Sequence, residues 1–265
     1  MARIALGIEY DGADFRGWQT QQPGVRTVQQ ALEKALGKVA NHPVTVICAG
    51  RTDAGVHGTG QVVHFDSPAQ REMKSWVFGA NTNLPGDVVV RWAKPVGEDF
   101  HARFSAVSRR YRYVIYNGDR PPALYRRQVT WNYRPLDLAA MQEAAAYLEG
   151  EHDFTSYRSV HCQAKSALKT LHSLRLYQRD QLIVLEAHGN AFLMHMVRNI
   201  AGVLMAIGAG KAPPIWARQV LEARDRRQGG VTAHPYGLYL VEIEYPAQFD
   251  LPRPPLGPLW LPDRL

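Results

Sequence analysis

The sequence holds only two cysteines, Cys48 and Cys162, in 265 residues. They lie far apart and form no CxxC pair, which argues against a structural disulfide or a zinc site and favours a reducing, cytoplasmic home. No apolar run approaches the roughly 18 residues that a bilayer span needs. Met1-Ala2-Arg3-Ile4 leads straight into an alternating strand pattern, so no signal peptide is expected. There is no Walker-type glycine loop, no GxGxxG after a strand, no HExxH and no GxSxG elbow. The ten histidines show no metal-ligand spacing. Nucleotide, dinucleotide, zinc-hydrolase and serine-hydrolase chemistries are thereby set aside, and no cofactor or metal is expected.

Acidic residues are scarce in one long stretch. Lys and Arg number 31 against 24 Asp and Glu, an excess that solubility alone could explain, so its distribution decides. Residues 100–134 carry Arg103, Arg109, Arg110, Arg112, Arg120, Arg126, Arg127 and Arg134, with Asp119 as the one acid. Phe104, Tyr111, Tyr113, Tyr116, Tyr125, Trp131 and Tyr133 are interleaved with them. Guanidinium forks suit phosphate oxygens and aromatic faces suit unstacked bases, so a nucleic acid is the expected partner.

What is present in abundance is alternation. Residues 3–10 place Ile4, Leu6, Ile8 and Tyr10 on one face and read as a strand. Thr27 with Gln30 forms a capping box, and Val28, Leu32, Ala35, Leu36 and Val39 keep helical spacing after it. Strands are expected at residues 44–49 and 61–65, a helix near 71–80 and a strand around 88–92. The second half repeats that β-α-β-β-α-β order. It has a strand at 109–117, a helix at 138–148 and a hairpin of 168–177 with 182–188. A helix at 192–207, another starting at Pro214 and a last strand at 238–245 follow. Two such copies imply an α+β fold of two ferredoxin-like, RRM-like halves, residues 1–105 and 106–265, with sheets joined side by side. No sequence repeat links the halves. The six prolines of residues 246–265 mark either a strap or a loose end.

The densest chemistry lies in Gly50-Arg51-Thr52-Asp53-Ala54-Gly55-Val56-His57-Gly58. Between two strands, glycines on both sides frame a single carboxylate and present it outward on a rigid scaffold. An Asx-turn is the ordinary job for such an aspartate, but a plain turn needs neither Arg51 beside it nor His57 beyond it.

That string resembles the catalytic-aspartate motif of the tRNA pseudouridine synthase A family, Gly-Arg-Thr-Asp-x-Gly-Val-His. Three further stretches match the same family in the right order. Residues 100–106 through Arg109-Arg110-Tyr111-Arg112-Tyr113 carry its active-site tyrosine, which falls on Tyr111. The stretch Asn190-Ala191-Phe192-Leu193-Met194-His195-Met196-Val197-Arg198-Asn199-Ile200 carries an arginine that pairs with the aspartate, at Arg198. Gly237-Leu238-Tyr239-Leu240 supplies apolar wall residues beneath the base, Leu240 among them. His234, just before, replaces an expected small residue or proline.

The resemblance implies isomerisation of uridine to pseudouridine at tRNA positions 38, 39 and 40, in the anticodon stem-loop, by a homodimer. It implies Asp53 as nucleophile and Arg198 as the cation that keeps it ionised. Tyr111 would stack on the flipped base and take the C5 proton, Arg51 would contact the flipped nucleotide, and Arg103, Arg109, Arg110 and Arg112 would bind the RNA backbone. Two other classes stay open on the residues alone. A non-catalytic RNA-binding protein would have the same basic surface, but no reason to keep Asp53, Tyr111 and Arg198 together. An Asp-dependent glycosidase would want a second carboxylate close by, and none accompanies Asp53 in its motif.

Overall fold

A computed structural model of the chain describes residues 1–262. It divides into two compact units, Met1–Val107 with the chain from Tyr239 on, and Ser108–Leu238. Among the described residues no helix is long and apolar enough to cross a membrane.

The first unit runs β1 (Ala2–Tyr10), α1 (Val28–Ala40), β2 (Ile47–Cys48), β3 (His57–Ser67), α2 (Met73–Asn83) and β4 (Val88–Val96). Its strands lie in the order β4-β1-β3, with β2 beside β3. All these pairings are antiparallel, with Leu6 opposite Val63 and Ile4 opposite Phe65. Alternation sends Ile4, Leu6, Ile8 and Tyr10 into one core with Val63 and Phe65, against Leu32 and Leu36 of α1 and Trp76 of α2. The Thr27 hydroxyl accepts the Gln30 N–H and opens α1 as the capping pattern predicts. The expected strand at 44–49 shrinks to two residues, because Glu33 takes the Val46 N–H at 3.0 Å and removes it from the ladder. The second helix extends past its expected end, where the Asn81 side chain exchanges two hydrogen bonds with the Val90 backbone of β4.

The second unit runs β5 (Ser108–Asn117), β6 (Thr130–Asn132), α3 (Leu138–Ala146), β7 (Gly150–Asp153), β8 (Leu168–Arg179), β9 (Leu182–Gly189), α4 (Met196–Gly208) and α5 (Trp216–Ala223). Its sheet has the order β5-β9-β8-β7, with β6 parallel beside β5. The hairpin turns at Asp180, in the left-handed region at φ 52°. The short strands β6 and β7 carry no period of their own and are additions to the expected pattern. The helix expected from Phe192 begins only at Met196. His195 before it is left-handed at φ 62°, and the Met194 carbonyl is taken by the Ser159 N–H at 2.9 Å.

The last strand, β10 (Leu238–Glu244), runs parallel to β3, with Tyr239 opposite His57 and Leu240 opposite Gly58. Residues from Tyr239 on therefore group with the first unit, whereas the expected division at 105/106 places them with the second. At Gly60 a Cβ would come within 2.1 Å of the Val241 carbonyl, so this approach of backbones requires glycine. The proline-rich tail is a strap on the same unit. Thr59 donates to the Leu256 carbonyl at 2.9 Å, Trp260 meets Tyr239 edge-on, and Leu261 is buried. Its final residues, 263–265, lie outside the described residues.

Candidate active site

The backbone of the Asp53 turn is fixed from several directions. Asp53 O accepts the Val56 N–H at 3.1 Å, and Gly55 makes the reversal at φ 79°. Thr52 is buried, its hydroxyl 2.8 Å from the Tyr10 hydroxyl and its carbonyl accepting the Trp18 N–H at 3.0 Å. The Gly55 N–H reaches the Phe15 carbonyl, and the Gln61 amide donates to the Gly50 carbonyl at 2.6 Å. Arg51 is exposed and Asp53 half-buried, on a turn whose backbone is held inward.

The segment from Asp11 to Trp18 is the part of this site that motif reading missed. It wraps the turn so closely that a Cβ on Gly12 would sit 1.8 Å from the Val56 carbonyl. One on Gly17, already at φ 98°, would sit 2.9 Å from the Thr52 carbonyl. Two glycines flanking Phe15, with Trp18 next, are the signal that could have marked it. His57 belongs to the scaffold as well. It is buried, stacks on Tyr239 at 4.7 Å and 21°, and its Nδ1 accepts the Gly12 N–H at 3.1 Å. The Asp11 carboxylate lies 3.0 Å from the same Nδ1, so the Asp11–Gly12 corner closes on the imidazole. Leu240, beside Gly58 in the ladder, is fully buried.

Arg103 lies on the same unit. Burial pushes the Cys48 thiol up to about 11, while the charges of Arg51 and Arg103 both pull against it. Arg103 is exposed, on a loop whose backbone is held by imidazoles. His101 Nδ1 accepts the Arg103 and Phe104 N–H groups at 3.2 Å each, and His64 Nδ1 accepts the Ala102 N–H at 3.1 Å. Arg3 donates to Asp66 and to the carbonyls of Glu98 and Phe100. Burial, with His101 and Arg3 close by and only Asp66 opposing, lowers His64 from 6.5 to about 4. Between those values the unfolded chain binds more protons than the folded one, so stability is full above the upper value and falls as pH drops through the window. The melting temperature is expected to fall between pH values of about 7 and 5. His64→Asn keeps an acceptor but cannot charge, and should flatten that loss; an unchanged acid slope would show that another group titrates.

The second unit carries Tyr111 and Arg198. Tyr111, on β5, is 8 % exposed and meets Phe192 edge-to-face at 4.9 Å and 72°. Tyr113, two residues on and on the same strand face, is wholly buried. Its hydroxyl donates to the His234 carbonyl at 2.8 Å. Burial pushes its pKa above the usual range, against smaller pulls from the Thr130 hydroxyl and from Arg198. Arg198, in the first turn of α4, donates Nε–H to the Ala233 carbonyl at 2.8 Å.

The arginines of β5 divide by the pleat. Arg109 shares the odd-numbered face with Tyr111 and donates to the Asn190 carbonyl. Arg110 and Arg112 point to the other face, and both bind the Glu186 carboxylate at 2.9 Å. The Arg112 side chain is 0 % exposed. That corrects the expected RNA track, because a guanidinium with no exposed surface and a paired carboxylate is a structural ion pair. Arg103, Arg120, Arg126 and Arg134 are the exposed members of the stretch.

Comparison with known proteins places this geometry in a class. Residues 8–105 and 144–246 match the family described as tRNA pseudouridine synthase. Among curated relatives, tRNA pseudouridine synthase A of Alcanivorax borkumensis is 78% identical over 265 residues, covering 100% of this chain and 99% of the relative. The namesake of Pseudomonas aeruginosa is 63% identical over 261 residues, 98% of this chain and 92% of the relative. That of Coxiella burnetii is 58% identical over 262 residues, 99% of this chain and 100% of the relative. The chain belongs to the tRNA pseudouridine synthase A family.

Proposed function

We propose that the chain isomerises uridine to pseudouridine in tRNA, at positions 38 to 40 of the anticodon stem-loop. The family membership supports the reaction class. The observation that carries the assignment of roles is the Asp53 turn, whose backbone is locked while Asp53 itself is only half-buried. In this reading Asp53 attacks the nucleotide, the N1–C1′ bond breaks, the base turns, and C5 joins C1′ before the C5 proton leaves. Every atom of the substrate is retained except the proton exchanged at C5, so the balance needs no electron donor or phosphoryl group. Arg198 keeps the Asp53 carboxylate ionised, since a nearby cation favours the charged form.

Tyr111 stacks on the flipped base and removes the C5 proton. Arg51 contacts the flipped nucleotide, and Leu240 backs its pocket from within the first unit. Two copies of the chain share each tRNA, and a tRNA substrate places the enzyme in the cytoplasm. The test is incubation with an unmodified tRNA transcript, nuclease digestion and nucleoside chromatography. Pseudouridine should appear at the expense of uridine, with no free uracil. Binding without conversion would make the chain an RNA-binding protein.

Phosphate contacts make binding steeply salt-dependent, with a slope that falls by about one for each cation removed from the track. Arg103→Ala should lower that slope by about one. Arg112→Met should leave it unchanged and lower the melting temperature instead, because it removes one of the two arginines on Glu186. A flattened slope for Arg112→Met would return that residue to the RNA track.

A further inference from the structure

Arg198 is bonded to a loop that is itself held, and the two side chains that hold that loop, Arg226 and Thr232, lie outside the four family motifs. The loop is Gly229 to Ala233, just after the short 3-10 turn Arg226–Gln228. It meets Arg198 twice. The Ala233 N–H donates to the Arg198 carbonyl at 3.1 Å, and the Arg198 Nε–H returns a bond to the Ala233 carbonyl at 2.8 Å. The carbonyl of Ala233 is therefore a fixed acceptor for the Nε edge of the Arg198 guanidinium.

Upstream of Ala233 the loop is clamped by one side chain. Arg226 Nη2 lies 2.9 Å from the Gly230 carbonyl, 3.0 Å from Thr232 Oγ1 and 3.0 Å from Asn199 Oδ1. The Thr232 hydroxyl donates to the same Asn199 oxygen at 2.7 Å. Asn199 is 1% exposed and is anchored by its own amide to the Tyr157 carbonyl at 2.8 Å. It is also the next residue after Arg198 on α4, so the clamp ties the loop to the helix turn that carries the arginine. The loop lies flat there: a Cβ on Gly202, one turn on, would come within 1.9 Å of the Val231 carbonyl.

We infer that Arg226 and Thr232, acting through Asn199, are positioning residues for Arg198: they fix the Ala233 carbonyl that aims its guanidinium. The inference rests on the catalytic role proposed above for Arg198. A planar guanidinium can serve several acceptors from one fixed plane, which an ammonium on a flexible stem does not reproduce. Small displacements of a positioned catalytic group cost rate, up to about 10²-fold for an ångström.

The test uses Thr232→Val, which removes one hydroxyl at nearly constant shape, and Arg226→Lys, in the full-length chain. Each should lower kcat by between roughly 10- and 100-fold with KM for tRNA within about twofold. Thr232→Val should melt within a few degrees of the wild type, which keeps the test sound should Arg226→Lys fold poorly. The decisive arm combines Thr232→Val with Arg198→Lys. If Thr232 acts through Arg198, the double variant is no slower than Arg198→Lys alone. Losses that multiply, or a wild-type kcat in Thr232→Val, overturn the inference. Arg198→Lys alone separates the two levels. Wild-type activity there removes the catalytic role of Arg198 itself, whereas an impaired Arg198→Lys beside a normal Thr232→Val removes only the bracket.

Discussion

Asp53→Asn should abolish turnover, by at least about 10⁴-fold, because removal of a catalytic nucleophile is among the costliest single changes an enzyme can suffer. Binding of tRNA should stay near the wild-type level, since the two side chains are isosteric and phosphate contacts dominate affinity. The structure adds a reason to expect an intact fold. The turn is fixed through Thr52, Gly55 and the main chain of Phe15 and Trp18, and an isosteric change at Asp53 leaves those bonds in place. Pseudouridine formation and a gel-shift titration on one preparation decide it, with mass spectrometry excluding deamidation back to Asp. Appreciable activity in a clean Asn variant would remove Asp53 from the reaction.

Tyr111→Phe separates two jobs that one residue is asked to do. The ring alone makes the edge-to-face contact with Phe192, so the substitution keeps the packing and the face offered to a base. It removes the hydroxyl, and loss of the C5 proton should slow by on the order of 10²-fold if that hydroxyl is the base. Tyr111→Leu should be worse, losing the stacking too. Single-turnover rates beside a binding titration give the answer. A wild-type rate in Tyr111→Phe would leave Tyr111 as a stacking residue, and the proton would have to leave by another route.

Local signals were legible and non-local ones were not. The period-2 run of β1, the capped stripe of α1 and the β8–β9 hairpin sit close to where their patterns put them, because each pattern encodes its own burial. The three-residue β6 is too short to carry a period, and its strand character comes from its partner β5. The placement of β10 depends on pairing with a strand some 180 residues earlier, at His57 and Gly58, which no window can contain. The same limit applies at the site. Glycines and Arg51 announced the Asp53 turn, but Gly12 and Gly17 matter only through the backbone that approaches them. A count of acids along residues 100–134 could not see Glu186, which arrives across the ladder opposite Arg112 and takes two arginines out of the apparent charge run. Arg226 stayed unread for a like reason: the Asn199 oxygen that ties its loop to α4 lies 27 residues earlier in the chain.

The most direct test of the central claim is single-turnover incubation with unmodified tRNA carrying tritium at uridine C5. Isomerisation replaces the C5–H bond with a C5–C1′ bond, so the label must enter water. Tritium release by the wild-type chain is expected, about one equivalent per pseudouridine formed, and none by Asp53→Asn at equal tRNA occupancy. Retention of tritium by wild-type protein that demonstrably binds the tRNA would contradict that claim.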